Sequence, residues 1–439
     1  MNSIQSGLQL LSGPAGRPLI RMRDRTLDAG SFFAQAAALA ARLPDRPAAL
    51  NLCERRDNFL IAFAAMLIRN QTCVLPPSRV PAIVAEVMAE HRDCYKVDDA
   101  LVDDAWVVHA GEQTLVPHVP ADRIVVIGYT SGSTGRPRAN RKTWGGFAAS
   151  TALNASRLRE VLPVAAEGCP PWIVATVPSQ HMYGMELSVL MPLLGGMGIH
   201  SAHPLYPADI AAALAEVPAP RILVSTPVHL HALLESGVDL PDVQAVVSAT
   251  APLPAELAQA IKQRFGAVLL EFFGSTETCV IASRRTATED AWRPYPGVTL
   301  QPVGEGTRVD APWFESAMLL QDIVEVRTDG TFTVRGRNAD MVEVAGKRAS
   351  LADLARRLMA IPGVTDAVVF QPDDTGRGTV RRLAALVVAN ELTEPAILAQ
   401  LALAVDPAFL PRPLLLVPRL PRNDVGKLPR AALLAALQR

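Results

Sequence analysis

Short apolar runs alternate with helical segments along most of this 439-residue chain, and this alternation limits the possible folds more than any other feature. Residues 48–52 and 73–75 have the composition of buried strands, and an apolar helical pattern covers residues 58–69 between them. The same alternation begins again at residues 123–128 and continues to about residue 272. Strands that alternate with helices form mostly parallel sheets covered by helices. The sequence therefore predicts an α/β fold.

A different pattern begins near residue 322. Residues 322–334 predict short antiparallel strands around the turn Asp329-Gly330, and the chain beyond Gly336 predicts a compact α+β module. A chain of this length is expected to form two or more domains. We therefore predict a large N-terminal domain, residues 1–337, with helix-covered sheets and an antiparallel subdomain, and a small C-terminal domain, residues 338–439. Near the N-terminus, Ser31 is predicted to cap a helix over residues 32–43.

The composition excludes several classes of protein. The formal net charge is -1 and 19% of residues are charged, so we expect neither a nucleic-acid partner nor an anionic membrane surface. Five cysteines are scattered without a CxxC pair, which argues against a disulfide framework or a zinc ribbon and fits a reducing cytoplasm. The N-terminus shows no signal-peptide pattern, and the apolar run 189–199 is broken by Pro192, Gly195 and Gly196. We expect a cytoplasmic protein that does not insert into membranes.

The segment GYTSGSTGRPR, residues 128–138, predicts a phosphate-binding loop directly after a strand. Its hydroxyl groups and its glycines, which allow backbone amides to approach closely, suit an anion, and an arginine adds a permanent charge with a bidentate fork. The Walker A pattern GxxxxGK[ST] occurs nowhere in the chain. The alternative is a flexible surface linker rich in Ser and Gly. The predicted phosphate-binding residues are Thr130, Ser131, Gly132, Ser133, Thr134, Gly135 and Arg138.

From this loop onwards the chain resembles the superfamily of adenylate-forming enzymes, which includes acyl-CoA synthetases, peptide-synthetase adenylation domains and firefly luciferase. Residues 271–277, EFFGSTE, are similar to the family's aromatic-Gly-x-Thr-Glu motif. The resemblance implies that Phe273 stacks on adenine, that Thr276 contacts the α-phosphate and that Glu277 helps to hold Mg²⁺, which prefers oxygen ligands. Taken alone, the motif is equally typical of a buried strand end with a capping Ser-Thr-Glu. Phe272, Gly274 and Ser275 complete the nucleotide-binding residues of this motif.

Two further matches lie closer to the C-terminus. Asp322 and Arg337 stand where the family has residues that contact the ribose, although such residues are usually solvated surface when they occur alone. Residues 420–430, LPRNDVGKLPR, resemble the family's Pro-Arg-Thr-x-x-Gly-Lys-x-x-Arg motif. The resemblance implies that Lys427 neutralises charge on the α-phosphate during attack, and that the C-terminal domain is mobile. The alternative for Lys427 is an ordinary surface lysine before a terminal helix.

The acyl site is predicted from two segments. Residues 248–254, SATAPLP, resemble the loop between the adenine and acyl pockets, and residues 178–184, PSQHMYG, resemble the segment in which His181 would gate the acid. Amino-acid-selecting members have an aspartate in the latter segment. Residues 179–188 contain none, although Glu186 leaves a small opening for an amine. The resemblance implies Thr250 and Ala251 for the nucleotide, and Ala249, His181, Gly274 and Val280 for the acid.

The resemblance also has departures. Trp144 stands where many members have histidine, Arg138 replaces the commoner lysine, and Ala339 stands at the hinge. The chain is shorter than typical members and resembles the ligases of aryl-polyene and xanthomonadin pigments in size. The implied function is an ATP- and Mg²⁺-dependent ligase that joins a small aromatic acid, such as 4-hydroxybenzoate, to coenzyme A or to the phosphopantetheine of an acyl carrier protein. The alternatives are a fatty-acyl or amino-acid adenylating enzyme and a catalytically silent nucleotide-binding protein.

Overall fold

The computed structural model describes residues 7–77, 79–106, 117–131, 137–164, 168–304, 306–337, 341–344, 347–372, 382–405, 407–423 and 426–437. The chain divides into two compact units. The first unit comprises Met1–Asp290 and Trp313–Glu315, and the second comprises Ala291–Pro312 and Ser316–Arg439. The boundary proposed between residues 337 and 338 falls inside the second unit and stays a prediction.

The first unit contains two helix-covered sheets. One has the strand order β6-β4-β5-β8-β9, in which only β9 is antiparallel to its neighbour. The other has the order β15-β14-β13-β12-β10-β11-β2-β3, with β15 and β3 antiparallel and the rest parallel. The predicted α/β fold is confirmed. The strands are β1 (Leu8–Gln9), β2 (Pro18–Arg21), β3 (Thr26–Asp28), β4 (Ala48–Asn51), β5 (Thr72–Leu75), β6 (Cys94–Val97), β7 (His118–Val119), β8 (Ile124–Ser131), β9 (Pro137–Thr143), β10 (Trp172–Ala175), β11 (Gly198–His200), β12 (Arg221–Ser225), β13 (Ala245–Ser248), β14 (Val268–Ser275) and β15 (Cys279–Arg284).

Helices pack on both faces of these sheets. Leu223, Val246 and Leu269 of neighbouring strands are buried in one apolar cluster with residues of three helices, which is why the strands have continuous apolar runs. No helix among the described residues is long and apolar enough to cross a membrane. The helices are α1 (Ala29–Arg42), α2 (Arg56–Ile68), α3 (Pro81–Glu90), α4 (Asp99–Asp104), α5 (Trp144–Arg159), α6 (Met182–Gly184), a π-helical segment (Met185–Leu190), α7 (Met191–Leu194), α8 (Pro207–Ala215), α9 (Pro227–Glu235) and α10 (Ala255–Phe265).

The predicted cap of the first helix is wrong. Asp28, rather than Ser31, caps α1, and its Oδ1 accepts a hydrogen bond of 2.7 Å from the backbone N–H of Ser31. A carboxylate is a strong N-cap and also interacts favourably with the positive end of the helix dipole. The helix therefore begins three residues earlier than the pattern at 32–43 predicts.

The second unit contains small antiparallel sheets and an α+β module. In the module, β24 pairs antiparallel with β25, and β25 pairs parallel with β26. The elements of the second unit are β16 (Arg293–Pro294), β17 (Thr299–Val303), β18 (Gly306–Asp310), β19 (Met318–Leu320), β20 (Asp322–Val326), β21 (Phe332–Arg337), β22 (Met341–Val344), β23 (Lys347–Ser350), α11 (Leu351–Met359), β24 (Val364–Phe370), β25 (Ala384–Ala389), α12 (Glu394–Ala402), the 3₁₀ turn Pro407–Phe409, β26 (Leu414–Leu416) and α13 (Arg430–Leu437).

Candidate active site

The β8–β9 hairpin carries the predicted phosphate loop. Strand β8 continues past the predicted end at Gly128 to Ser131, and Thr130 lies opposite Arg138 of β9. The Arg138 side chain is exposed. Four predicted residues, Gly132, Ser133, Thr134 and Gly135, lie outside the described residues, as do the side chains of Thr130 and Ser131.

Three predicted segments of the first unit meet near Gly128. A Cβ atom placed on Gly128 would lie 3.3 Å from Cε of Met182 and 3.8 Å from Cγ2 of Thr276. The end of β8, the segment after His181 and the Thr276 motif are therefore neighbours. They meet beyond the carboxyl ends of parallel strands, where open α/β sheets bind ligands.

The turn formed by residues 275–279, called the Thr276 turn below, connects β14 to β15. The backbone N–H of Ser275 donates to Oγ1 of Thr278 over 3.1 Å, and the N–H of Thr278 donates to Oγ of Ser275 over 3.2 Å. Cys279 has a φ of 60°, a left-handed conformation that is uncommon for residues other than glycine. A Cβ atom on Gly274 would overlap the carbonyl oxygen of Cys279, so this position requires glycine. The turn holds Thr276 in a half-buried position.

Glu186 contacts the chain immediately after this turn. Its carboxylate is buried and accepts hydrogen bonds from Oγ of Ser150 (2.6 Å), Nδ2 of Asn154 (3.3 Å) and the backbone N–H of Val280 (3.1 Å). Burial raises the pKa of Glu186, whereas these hydrogen bonds and the ammonium group of Lys142 lower it. The carboxylate oxygens are thus engaged by donors inside the protein.

A second buried glutamate, Glu271, contacts the predicted adenine loop. Its Oε1 accepts a hydrogen bond of 3.1 Å from the backbone N–H of Leu253. Its Oε2 lies 2.7 Å from Nη2 of Arg284 and accepts a hydrogen bond of 2.6 Å from Oγ1 of Thr286. In the loop, Thr250 has a φ of 77°, and a strained β-branched residue is typical of a functional site. Ala249 is buried, Thr250 is exposed and Ala251 is half-buried.

The two phenylalanines of the motif differ in burial. Phe272 is buried, whereas Phe273 is half-buried, as expected for successive strand residues that point to opposite faces of a sheet. Gly274 is exposed, Ser275 and Glu277 are half-buried, and Val280 is buried.

The segment predicted to gate the acid begins with His181, which is half-buried and precedes α6. Tyr183 of the same segment lies close to the carbonyl oxygens of Ser225 (3.2 Å) and Val247 (3.0 Å), at the ends of β12 and β13. Burial raises the pKa of Tyr183 well above its usual value, so the hydroxyl stays protonated and donates a hydrogen bond. Sequence reasoning missed Tyr183, although its position two residues after His181 could have indicated it.

In the second unit, Asp322 and Arg337 are cross-strand partners at the ends of β20 and β21. Asp322 is half-buried, and its carbonyl oxygen accepts a hydrogen bond of 2.6 Å from Oγ1 of Thr307. The side chain of Arg337 lies outside the described part of the structure. Register thus brings the two predicted ribose-binding residues together.

Lys427 lies in a loop before α13 and is exposed. Its backbone N–H donates to Oδ1 of Asn423 over 2.8 Å, and its carbonyl oxygen accepts from the backbone N–H of Asn423 over 2.8 Å. Gly426, with a φ of 78°, allows the preceding turn. The local backbone is therefore fixed by Asn423.

Glu277 is the predicted ligand of a magnesium ion. Within the described residues, no three His, Cys, Asp or Glu side chains are grouped to hold a metal ion. Glu277 is a single half-buried carboxylate in the Thr276 turn. Mg²⁺ commonly binds through one or two carboxylates together with the phosphates of a substrate. Glu277 therefore fits an ion that arrives with a nucleotide.

Comparisons with known proteins identify the family and the fold. A family model described as AMP-binding enzyme matches residues 57–311. The chain is 29% identical to a 4-coumarate–CoA ligase of Halorhodospira halophila over 306 residues, which cover 68% of this chain and 73% of the relative. It is 24% identical to the mitochondrial malonate–CoA ligase ACSF3 of Mus musculus over 389 residues, 72% of this chain and 65% of the relative. ATP-bound MatB from Rhodopseudomonas palustris has the same fold, with a TM-score of 0.79, 18% identity and 97% of each chain covered.

Proposed function

Since the chain belongs to the family of AMP-binding enzymes and is an AMP-forming acyl-CoA ligase, we propose that it joins a small aromatic acid, such as 4-hydroxybenzoate, to coenzyme A. The observation that carries this proposal is the similarity to a 4-coumarate–CoA ligase over 68% of the chain. The acid carboxylate attacks the α-phosphorus of ATP and pyrophosphate leaves. The thiol then attacks the acyl carbon of the resulting mixed anhydride, and AMP leaves.

The proposed phosphate contacts come from two segments. Residues 130–135 and Arg138 hold the leaving pyrophosphate, and Thr276 contacts the α-phosphate. Lys427 neutralises the charge that develops on the α-phosphate during attack. Positioning and fixed charge provide most of the catalysis in phosphoryl chemistry, which supports an assignment based on hydroxyls, amides and cations. A magnesium ion bound by Glu277 supplies further neutralisation of the phosphate oxygens.

The nucleoside is proposed to bind through the second set of predicted residues. Phe273 stacks on adenine, and its half-buried position supports that role. Asp322 and Arg337 contact the ribose, and their cross-strand pairing supports a shared role. Phe272, Gly274, Ser275, Thr250 and Ala251 complete the proposed contacts.

The acid is proposed to lie beside His181, Ala249, Gly274 and Val280. Two of these four positions, Ala249 and Gly274, carry small residues. Glu186 supports an acid without an α-amine, because its carboxylate oxygens already accept three hydrogen bonds. The acceptor is coenzyme A or the phosphopantetheine arm of an acyl carrier protein, and residues 338–439 are the domain that carries Lys427 in this proposal.

ATP–pyrophosphate exchange over a panel of acids tests the proposal. The panel contains 4-hydroxybenzoate, 4-coumarate, malonate, octanoate and several amino acids. We expect the highest rate with an aromatic acid. Malonate is the second candidate, favoured by the similarity to a malonate–CoA ligase, and exchange with malonate alone would replace the aromatic proposal. Binding of ATP without exchange for any acid would indicate a silent nucleotide-binding protein.

The proposed role of Lys427 has its own test. Lys427→Ala is expected to lower the exchange rate at least a hundredfold, since it removes charge stabilisation at the transition state, and to leave the Kd for ATP within a few-fold. Lys262→Ala, at an exposed lysine of α10, is the matched control and should retain the full rate. A full rate in Lys427→Ala would refute the assignment.

A further inference from the structure

The Thr276 turn has internal hydrogen bonds that fix its shape, and two buried ionisable side chains connect its main chain to other segments of the unit. Nζ of Lys142 donates to the carbonyl oxygen of Glu277, inside the turn. The carboxylate of Glu186 accepts the backbone N–H of Val280, directly after the turn. The main chain on either side of Cys279 is therefore held by one cation and one anion.

Both groups are almost fully removed from solvent. Lys142 is 8% exposed and Glu186 is 2% exposed. Burying a charge costs several kcal/mol unless hydrogen bonds and an opposite charge offset the cost. Ser150 and Asn154 donate to Glu186, and the ammonium of Lys142 interacts favourably with its carboxylate. Such groups contribute little net stability, so their main physical effect is to fix the geometry of what they contact.

The two side chains come from the segments that flank the predicted substrates. Lys142 lies in β9, four residues after Arg138 of the phosphate hairpin. Glu186 lies in the π-helical segment that follows α6 and the predicted acyl segment, and π-helical turns are frequent at functional sites. The Thr276 turn is thus attached on one side to the phosphate hairpin and on the other to the acyl segment.

We propose that Lys142 and Glu186 are positioning residues that hold Thr276 and Glu277 against the phosphates of ATP. Neither contacts the substrate; each acts through the main chain of the turn. The expected effect on the reaction rate rests on the proposed function. The expected effect on the binding of ATP and Mg²⁺ does not. A displacement of about 1 Å in a positioned group can lower a rate about a hundredfold, so loss of either contact should affect the chemical step more than acid binding.

Lys142→Met and Glu186→Gln test the proposal because each removes a charge and keeps the side-chain volume. For Lys142→Met we expect the kcat of exchange to fall tenfold or more and the Mg²⁺ concentration at half-maximal rate to rise several-fold. The KM for the acid should stay within twofold. Lys142→Arg keeps the charge and the N–H donors, and should recover most of the rate.

Arg157→Met is the matched control. Arg157, in α5 after the hairpin, is also buried, and its Nε donates to Oγ of Ser283 in β15 over 2.8 Å, away from the turn. This variant is expected to lower the melting temperature without changing the Mg²⁺ requirement. If Lys142→Met is too unstable to assay, the same measurements are made on Glu186→Gln and Lys142→Arg. The proposal then predicts a lower kcat for Glu186→Gln and a rate close to that of the wild type for Lys142→Arg.

Calorimetric titration with ATP, with and without Mg²⁺, gives a readout that does not depend on turnover. We expect Mg²⁺ to strengthen ATP binding in the wild-type protein and in Arg157→Met, and to do so several-fold less in Lys142→Met. A folded Lys142→Met and a folded Glu186→Gln with wild-type kcat and Mg²⁺ dependence would overturn the proposal. If no acid supports exchange but the Mg²⁺ effect on ATP binding is still lost, the proposed function fails while the positioning role stands.

Discussion

Glu186 and Glu271 are two buried carboxylates that accept similar hydrogen bonds but have different charged neighbours. Each accepts a backbone N–H from a segment predicted to contact substrate, Val280 after the Thr276 turn and Leu253 in the adenine loop. Glu271 lies 2.7 Å from the guanidinium of Arg284. Glu186 accepts its hydrogen bonds from neutral donors, and Lys142 acts on it through space. We infer that removing the charge of Glu271 costs more stability than removing the charge of Glu186, because it leaves the guanidinium of Arg284 without its close partner.

The largest expected effect is the loss of stability in Glu271→Gln. Removing one partner of a buried ion pair leaves the other charge uncompensated and costs about 3–5 kcal/mol. Chemical denaturation should show a decrease near the lower end of this range, because Arg284 is partly exposed. Glu256→Gln, at an exposed glutamate of α10, is the control and should change the free energy of unfolding by less than about 0.5 kcal/mol. An equally small change in Glu271→Gln would show that Glu271 contributes no more to stability than an exposed glutamate does.

The second largest expected effect is the loss of stability in Gly274→Ala, in the motif of residues 271–277. A Cβ atom on Gly274 would overlap the main-chain carbonyl of Cys279. One on Gly128 would lie 3.3 Å from Cε at the end of the Met182 side chain and 3.8 Å from Cγ2 of Thr276. Gly274→Ala is therefore expected to reduce the free energy of unfolding by about 1–3 kcal/mol and to lower the exchange rate. Gly128→Ala is the control with the smaller loss of stability. Equal losses in thermal unfolding would show that the Thr276 turn adapts easily.

Glu186→Gln is expected to have a smaller effect on stability than on rate. The glutamine keeps the size of the side chain and one acceptor and carries no charge, and Lys142 keeps its hydrogen bond to the carbonyl oxygen of Glu277, so the free energy of unfolding should change by about 1 kcal/mol or less. A tenfold fall in kcat would correspond to about 1.4 kcal/mol in the barrier. Stability and exchange rate measured on one preparation give the comparison directly. A large loss of stability with an unchanged rate would assign Glu186 to the fold instead.

The smallest expected effect is a pH dependence of stability. Burial raises the pKa of Glu186 in the folded state, so the folded protein binds a proton more readily than the unfolded chain does. The contribution of this group to stability is therefore most favourable at low pH and declines as pH rises from the ordinary carboxyl pKa to the raised value. The free energy of unfolding of the wild type should therefore decrease relative to that of Glu186→Gln as the pH rises above about 4.5. A pH-independent difference would contradict the raised pKa.

The sequence predicts much of the fold and only part of the site. Apolar runs identify strands such as β4 and β14, because strands buried on both faces need continuous apolar residues. Short motifs likewise indicate Glu277 and Asp322 as candidates. The role of Glu186 was not predictable, since its donors Ser150 and Asn154 lie more than thirty residues away and are brought near only by packing.

The role of Lys142 was also not predictable from the sequence. Its strand, PRANRKT, is polar and gives no indication that one of its cations is buried. Burial follows from the pairing of β9 with β8 and from the position of the Thr276 turn, both of which are tertiary properties. Motifs therefore indicate the groups that meet the substrate more readily than the groups that position them.

We propose this chain as an AMP-forming ligase for a small aromatic acid, and identification of its products shows which acid it uses. The purified protein is incubated with ATP, Mg²⁺, coenzyme A and an equimolar mixture of 4-hydroxybenzoate, malonate and octanoate, and the thioesters are identified by mass spectrometry. We predict the aromatic thioester as the main product, with AMP formed in equal amount. A malonyl or octanoyl thioester as the main product, or ATP binding without any thioester or AMP, would contradict the account.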